Sequence, residues 1–376
     1  MKIDKSALFV DSLRLTNFRN YTSTNIEVGG TSVILTGENG AGKTNILEAV
    51  SLLTPGRGIR RSPITDFVNT QSDGIWGISA QCNTTVGLST IGTGFNESNP
   101  KRRTVKINSV VSTQSEMANY LSCIWLTPQM DRIWIDGSSG RRKFIDRIIL
   151  GFDPAHSGRI NAYEKSLRNR SQALKNEVKD DKWLSAMEKD IASRGVAIAS
   201  SRLNIINRLN EFVSVSLAPF PSAKLKCDGV IEQWLSEFPA SEVEDKFQSA
   251  LKQSRPQDAI TGGAEIGVHK TDINAIHLDK NMPANLCSTG EQKSLLIRIV
   301  LGHLNMQKMD TGFLPILLLD EISAHLDGVK LSALFTELQT INPQIWYTGT
   351  DAKKFAEISE NTLHFSIENG KVLQQS

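Results

Sequence analysis

Gly37-Glu38-Asn39-Gly40-Ala41-Gly42-Lys43-Thr44 decides how the rest of this chain is read. It has the pattern G-x-x-x-x-G-K-[ST]. The apolar run Ser32 to Thr36 before it predicts a buried strand. Thr44 to Leu53 after it carries apolar residues at helical spacing. Strand, glycine-rich loop and helix in that order are the context a phosphate-binding loop needs. The glycines let consecutive N–H groups turn inward onto a polyphosphate, and the helix N-terminus adds its partial positive charge. Lys43 can reach β- and γ-phosphates, and the Thr44 hydroxyl can hold Mg²⁺. The plain alternative is a glycine-rich turn without a ligand.

A second set of candidates lies far along the chain. Pro315-Ile316-Leu317-Leu318-Leu319-Asp320-Glu321 is an apolar strand ending in two acids, as in a Walker B segment. Asp320 would hold Mg²⁺ through water, and Glu321 would polarise an attacking water. Ser288-Thr289-Gly290-Glu291-Gln292 opens a helix, with Ser288 as N-cap and Glu291 three residues on, a capping-box arrangement. Ser323-Ala324-His325-Leu326-Asp327 follows the acids in a loop, and Gln344 to Asp351 reads as another core strand with a polar turn.

The chain has 376 residues, enough for two or three domains. Charged residues are 22% and apolar residues 39%, an ordinary globular mix. A net charge of +2 does not by itself argue for nucleic acid, so any DNA site must come from local clusters. The 4 cysteines lie far apart, with no C-x-x-C, which excludes a Cys-based zinc site and a disulfide framework. Neither a signal-peptide pattern nor a membrane-length apolar run occurs, so a cytoplasmic protein without its own membrane anchor is expected.

Between the two ends, the patterns change in turn. Leu13 and Leu15 alternate with polar residues as on a strand, and Asn17-Phe18-Arg19-Asn20 reads as a turn flanked by Arg14 and Arg19, which can approach a nucleotide. Arg57, Arg60 and Arg61 sit in a Pro/Gly loop after the first helix and are candidate DNA contacts. Residues 72–111 read as short antiparallel strands, with a turn at Asn96 to Pro100 and a weaker basic cluster at Lys101-Arg102-Arg103. Ser122 to Leu126 is a buried strand. Gln129 just beyond it is placed to meet Mg²⁺ or the attacking water, or merely ends the strand. Gly137-Ser138-Ser139-Gly140 reads as a hinge, followed by the basic cluster Arg141-Arg142-Lys143, a further DNA candidate. From about 157 to 215 apolar residues recur at helical steps, broken at Asp180-Asp181-Lys182, which predicts a short antiparallel helical pair. Residues 222–240 read as mixed and 241–254 as helical. Pro256, Gly262, Gly263 and Gly267 mark a return. The expected fold is α/β: an ATPase head from 1–136 and 268–376, with an accompanying antiparallel sheet and an inserted, mainly helical arm at 137–267.

The order Walker A, S-x-G-E-Q, LLLDE, then a loop ending in Asp resembles ABC-type ATPases. In a transporter ATPase the P-loop and the signature helix lie much closer than Lys43 and Ser288 do here. The opening Leu13-x-Leu15-x-Asn17-Phe18-Arg19 resembles SMC-like chromosome ATPases, but the insert is too short for their coiled coils. From end to end the chain resembles the RecF recombination-mediator family. The resemblance is carried by Asn17 to Tyr21, Gly37 to Val50, Pro55 to Gly58, Gly140 to Arg142 with Phe144 to Arg147, Ser288 to Gln292, Leu318 to Glu321 with His325 to Asp327, and Thr348 to Asp351.

That resemblance implies a weak, DNA-dependent ATPase that acts as a switch. It implies an ATP-induced homodimer on double-stranded DNA near single-strand gaps, released by slow hydrolysis. RecR- and RecO-like partners, recombinase loading and support of the SOS response are implied with it. Lys43 and Thr44 carry over as phosphate and Mg²⁺ ligands, Asp320 as the Mg²⁺ acid and Glu321 as the base. Ser288 and Gly290 carry over as contacts to the nucleotide of a second copy, Asp327 as an interface acid, and Gln129 as the Q-loop residue. Thr348 and Thr350 stand where the wider ABC pattern has a switch histidine. A threonine there can hydrogen-bond a γ-phosphate but cannot become cationic near neutral pH, which fits a slow, switch-like ATPase better than a fast motor. Two other readings stay open on the sequence alone: a transporter ATPase subunit, and a non-enzymatic scaffold that keeps the fold.

Overall fold

The computed structural model describes residues 7–72, 74–95, 102–178, 180–324, 326–368 and 370–375. The turn expected at Asn96 to Pro100, Lys101, and His325 lie outside them. Within the described residues the chain divides into two units. One comprises residues up to Asp131, Leu217–Phe220 and Leu296–Ser376; the other comprises Arg132–Ser216 and Pro221–Leu295.

The first unit opens with β1 (Phe9–Phe18), β2 (Tyr21–Glu27) and β3 (Ser32–Thr36), followed by helix α1 (Lys43–Ser51). Strands β4 (Trp76–Thr84), β5 (Gly87–Phe95), β6 (Thr104–Ile107), β7 (Val110–Ser112) and β8 (Cys123–Leu126) complete its N-terminal part. The second unit holds α2 (Ser138–Leu150), α3 (His156–Lys175), α4 (Asp181–Val213), β9 (Ala223–Asp228), α5 (Val230–Glu237), α6 (Ala240–Gln253), α7 (Arg255–Thr261), β10 (Asp272–His277) and β11 (Met282–Pro283). The division falls within α8 (Thr289–Thr311). The chain ends with β12 (Ile316–Leu319), α9 (Gly328–Ile341), β13 (Ile345–Gly349), β14 (Thr362–Glu368) and β15 (Lys371–Gln375).

The first unit has two sheets. One is antiparallel, in the order β2-β1-β4-β5-β6-β7, and β4 alternates buried and less buried side chains along its length. That alternation fits a sheet with one face on a core. The other has the order β15-β14-β3-β13-β12-β8, parallel from β14 through β8. Strands β13 and β12 and the edge strand β8 are buried throughout, which is why they read as unbroken apolar runs. Leu13, Leu15, Ile78 and Ile91 of the first sheet share a core with Val33, Leu35, Leu318 and Trp346 of the second, and with Ile46, Leu47 and Val50 of α1. The parallel order puts the C-terminal ends of β3, β13 and β12 side by side, so the P-loop, the two acids and Thr348 gather at that end of the sheet.

In the second unit, α3 and α4 are the expected helical pair. Asp180 caps α4 by accepting the Trp183 N–H, which explains the break in the pattern. Tyr163, Ile191, Val196, Ile231, Val243 and Phe247 form its core. Two expectations change here. The Gly/Ser run is no hinge: Gly137 is the N-cap of α2, and Ser138 already lies in its first turn. The unit also extends past the expected return at 267, because β10 pairs with β9 from Asp272↔Asp228 to His277↔Ala223. Residues 268–295 therefore count with the arm. No described helix is long and apolar enough to cross a membrane.

Candidate nucleotide-binding site

Five side chains from three strand ends meet in the first unit. Lys43, the first residue of α1, is buried, and its Nζ donates to the carbonyls of Gly37 at 2.7 Å and Glu38 at 2.9 Å. The Glu321 carboxylate stands 3.3 Å from the same ammonium. Thr44 donates its hydroxyl to Asp320 Oδ1 at 2.9 Å, and Thr348 donates to the same oxygen at 2.8 Å. Asp320 N–H donates to Leu126 O at 2.9 Å, which ties the acid to the end of β8. Asp320 is only 8% exposed, so it is not a solvated strand terminus. Glu321 has φ 51, a left-handed backbone that a non-glycine residue holds only when its surroundings fix it.

The loop between them is shaped by the turn after β1. Asn20 Nδ2 donates to Ala41 O at 2.9 Å, and Tyr21 Oη donates to Gly42 O at 3.1 Å. Gly42 has φ 119, and a Cβ there would lie 2.4 Å from Asn20 Nδ2 and 2.7 Å from Tyr21 Oη. Only glycine permits both the backbone and the approach. Asn39 and Gly40 are exposed, and Ala41 is partly buried. The N-F-R-N-Y turn thus supports the loop from below, a role its sequence does not suggest.

Arg19 and Arg60 are engaged locally. Glu48 of α1 is fully buried and pairs with Arg19 at 2.9 Å and Arg60 at 3.6 Å. Burial pushes the Glu48 carboxyl up, and the two arginines pull against it. Arg60 also donates to Asn45 Oδ1 at 2.6 Å. Arg19 is therefore not turned to a nucleotide; Arg14, Arg57, Arg60 and Arg61 are exposed.

Gln129 is exposed in a short 3₁₀ turn, Pro128–Arg132, just past β8, whose Leu126 pairs with Leu319 beside Asp320. Asp327 is exposed and caps α9 by accepting the Lys330 N–H at 2.9 Å, a bond that holds its carboxyl below the usual range. Thr350 is exposed. Thr348 is fully buried, and its hydroxyl accepts the Glu321 N–H at 2.8 Å while donating to Asp320. Its hydroxyl is committed to both bonds and fixes the two acids relative to each other.

In the second unit Ser288, Thr289 and Gly290 are exposed at the start of α8. Glu291 accepts the Ser288 N–H and its hydroxyl, both at 2.9 Å. Buried Gln292 donates to Cys287 O at 2.9 Å, and its own carbonyl accepts Trp134 Nε1 at 3.2 Å, which fixes the segment. A Cβ on Gly290 would meet nothing within 4 Å.

Two DNA candidates are corrected. Arg141 is buried, donating to Asp272 at 2.7 and 3.0 Å and to the carbonyls of Ile133 and Asp136. Arg142 donates to Ser138 Oγ at 2.7 Å and Thr271 O at 2.6 Å. Both guanidinium groups hold the arm together. The weaker cluster loses Arg103 for the same reason: it is buried against the carbonyls of Leu52, Thr54 and Gly56, and burial lowers it to about 10.

A family model described as RecF/RecN/SMC N terminal domain matches residues 9–372. A DNA replication and repair protein RecF from Mesorhizobium japonicum is 41% identical over 368 residues, covering 96% of this chain and 97% of that one. Among solved structures, a recombination mediator protein RecF-ATPrS of the RecFOR pathway superposes with a TM-score of 0.85 at 23% identity, over 98% of both chains. A Pyrococcus furiosus Smc head domain gives 0.56 at 18% identity, over 98% of this chain and 96% of that one. The last two likenesses bear on the fold alone.

Proposed function

The chain belongs to the RecF family of DNA replication and repair proteins, and on that premise we propose that it is an ATP-gated DNA clamp whose nucleotide site is completed by a second copy. The observation that carries this reading is the gathering of Lys43, Thr44, Asp320, Glu321 and Thr348, set against a signature segment whose Gly290 faces open space. Gly290 is the second residue of α8, and a side chain there would have room within its own chain. Nothing among the described residues of its own chain requires that glycine, so close approach by another molecule accounts for it.

The residues fit a magnesium–nucleotide. Thr44 and Asp320 supply hard oxygen donors within one hydrogen bond of each other, as that ion needs. Bound magnesium would neutralise charge developing on the phosphates. Lys43 uses its donors on Gly37 O, Glu38 O and the Glu321 carboxylate, and would exchange the last for phosphate oxygens. Glu321 would then be released from its ion pair to accept a proton from water. Thr348 would keep Asp320 and Glu321 in register during that exchange. Gln129 would approach from the end of β8, Ser288 and Gly290 would cap the nucleotide of the partner copy, and Asp327 would lie at the interface.

Hydrolysis is slow and serves release. Double-stranded DNA beside single-strand gaps is the proposed ligand, gripped by Arg57, Arg61 and, in part, Arg60. RecR- and RecO-like proteins are the proposed partners in recombinase loading, in the cytoplasm, with SOS induction downstream. The test is duplex-DNA affinity measured with ATP, with ADP and without nucleotide. Tighter, salt-sensitive binding with ATP is expected; equal affinities in the three states would sink the gating.

A further inference from the structure

The signature segment carries a charge problem. If Ser288 receives the polyphosphate of a second copy, an anion arrives beside the Glu291 carboxylate, which accepts both the N–H and the hydroxyl of Ser288. Like charges that close repel unless something offsets them. Lys280 does so: at the end of the short turn Leu278–Lys280, it reaches across and donates to Glu291 Oε1, while Ser288 uses Oε2. The carboxylate is thus held from both sides. Lys280 and Ser288 together keep Glu291 ionised, pulling its carboxyl down to about 2, with the Lys280 hydrogen bond the larger cause.

We propose that Lys280 is a positioning residue of the composite site: it neutralises Glu291 and holds it on the cap of α8, so that an anionic nucleotide held by a second copy can approach Ser288. Lys280 does not itself hold the fold. Its side chain is half exposed, and an exposed ion pair of this kind contributes little to stability. Glu291 retains both bonds from Ser288 without it, so the start of α8 survives its loss. What the lysine changes is the net charge met by an incoming phosphate. The inference rests on the proposal that the site is shared between two copies.

The experiment uses the full chain and a slowly hydrolysed ATP analogue. Dimerisation is followed by sedimentation at low and high salt for the wild type, Lys280→Gln, Lys280→Arg and the pair Lys280→Gln with Glu291→Gln. Nucleotide binding is measured separately by titration at protein concentrations where the chain stays monomeric, and thermal melting controls for folding. Lys280→Gln is expected to weaken nucleotide-dependent dimerisation about tenfold at low salt and less at high salt. Melting and monomer nucleotide affinity should not change. Lys280→Arg should dimerise like the wild type. The double variant should recover most of the loss, because its cap no longer carries the charge that Lys280 offsets. Unchanged dimerisation of Lys280→Gln would overturn the inference, as would a double variant as weak as Lys280→Gln alone. A wild type that stays monomeric with the analogue would overturn the shared site itself and this inference with it.

Discussion

Thr348 donates its hydroxyl to Asp320 Oδ1 at 2.8 Å and takes the Glu321 N–H at the same distance. One buried hydroxyl therefore sets the spacing of the two candidate acids. Thr348→Val removes both bonds at nearly constant volume. Partners that orient a metal-binding side chain typically matter by about 10–100-fold, and that loss of turnover is expected. A stability loss of about 1–3 kcal/mol should accompany it, since Asp320 and the Glu321 N–H are left short of a partner. Thr348→His should not create a faster enzyme, because the position has no room for the ring; melting and steady-state turnover measure both outcomes.

Lys43→Ala should remove nucleotide binding without unfolding the chain. In the wild type, ATP at about a hundred times its dissociation constant should raise stability by about 2.7 kcal/mol. The variant should show no such shift. Thermal melting with and without Mg-ATP checks this, and an undiminished shift would place the nucleotide elsewhere.

The arginines divide by burial. Replacing Arg57 or Arg61 by alanine should leave melting unchanged and lower DNA affinity, with the salt slope falling by about one for each phosphate no longer neutralised. Arg141→Ala should do the reverse, because it strips Asp272 of its partner: a stability loss of about 2–3 kcal/mol is expected. Filter binding over a salt series, paired with urea melts, separates the two classes.

Glu291 gives a pH signature. Its folded pKa is depressed from 4.5 to about 2, by Lys280 first and Ser288 next. A depressed carboxylate contributes stability that is complete above its unfolded pKa and is lost as pH falls through the folded value. The pair is solvent-exposed, so the stability gap between wild type and Glu291→Gln should be small, flat above pH 4.5, and should close as pH falls toward 2. Urea midpoints across that range measure it; a gap that widened in acid would contradict the assignment.

The P-loop, the two acids and the capped signature helix are legible in the sequence because each is a local pattern with a local physical cause. The core strands β8, β12 and β13 are legible because strands buried on both faces leave unbroken apolar runs. Basic clusters are not. Arg103 and Arg141 read like Arg57 until their partners are known, and those partners lie 51 and 131 positions away in Leu52 and Asp272. Thr348 misleads for the same reason: its motif position suggests a phosphate ligand, whereas its hydroxyl is committed to Asp320, 28 positions back. The arm boundary escapes the sequence because the glycines at 262, 263 and 267 mark a turn within the arm, after which β10 pairs back with β9.

The central claim, that each nucleotide site is shared between two copies, is tested by mixing two inactive chains. Lys43→Ala disables the P-loop, and Ser288→Arg disables the signature segment. Each alone should hydrolyse ATP at background rate. A mixed dimer carries one site with both defects and one with neither, so an equimolar mixture should regain roughly a quarter of wild-type turnover by random pairing of a twofold dimer. Background turnover in the mixture, with mixed dimers present by sedimentation, would contradict a shared site.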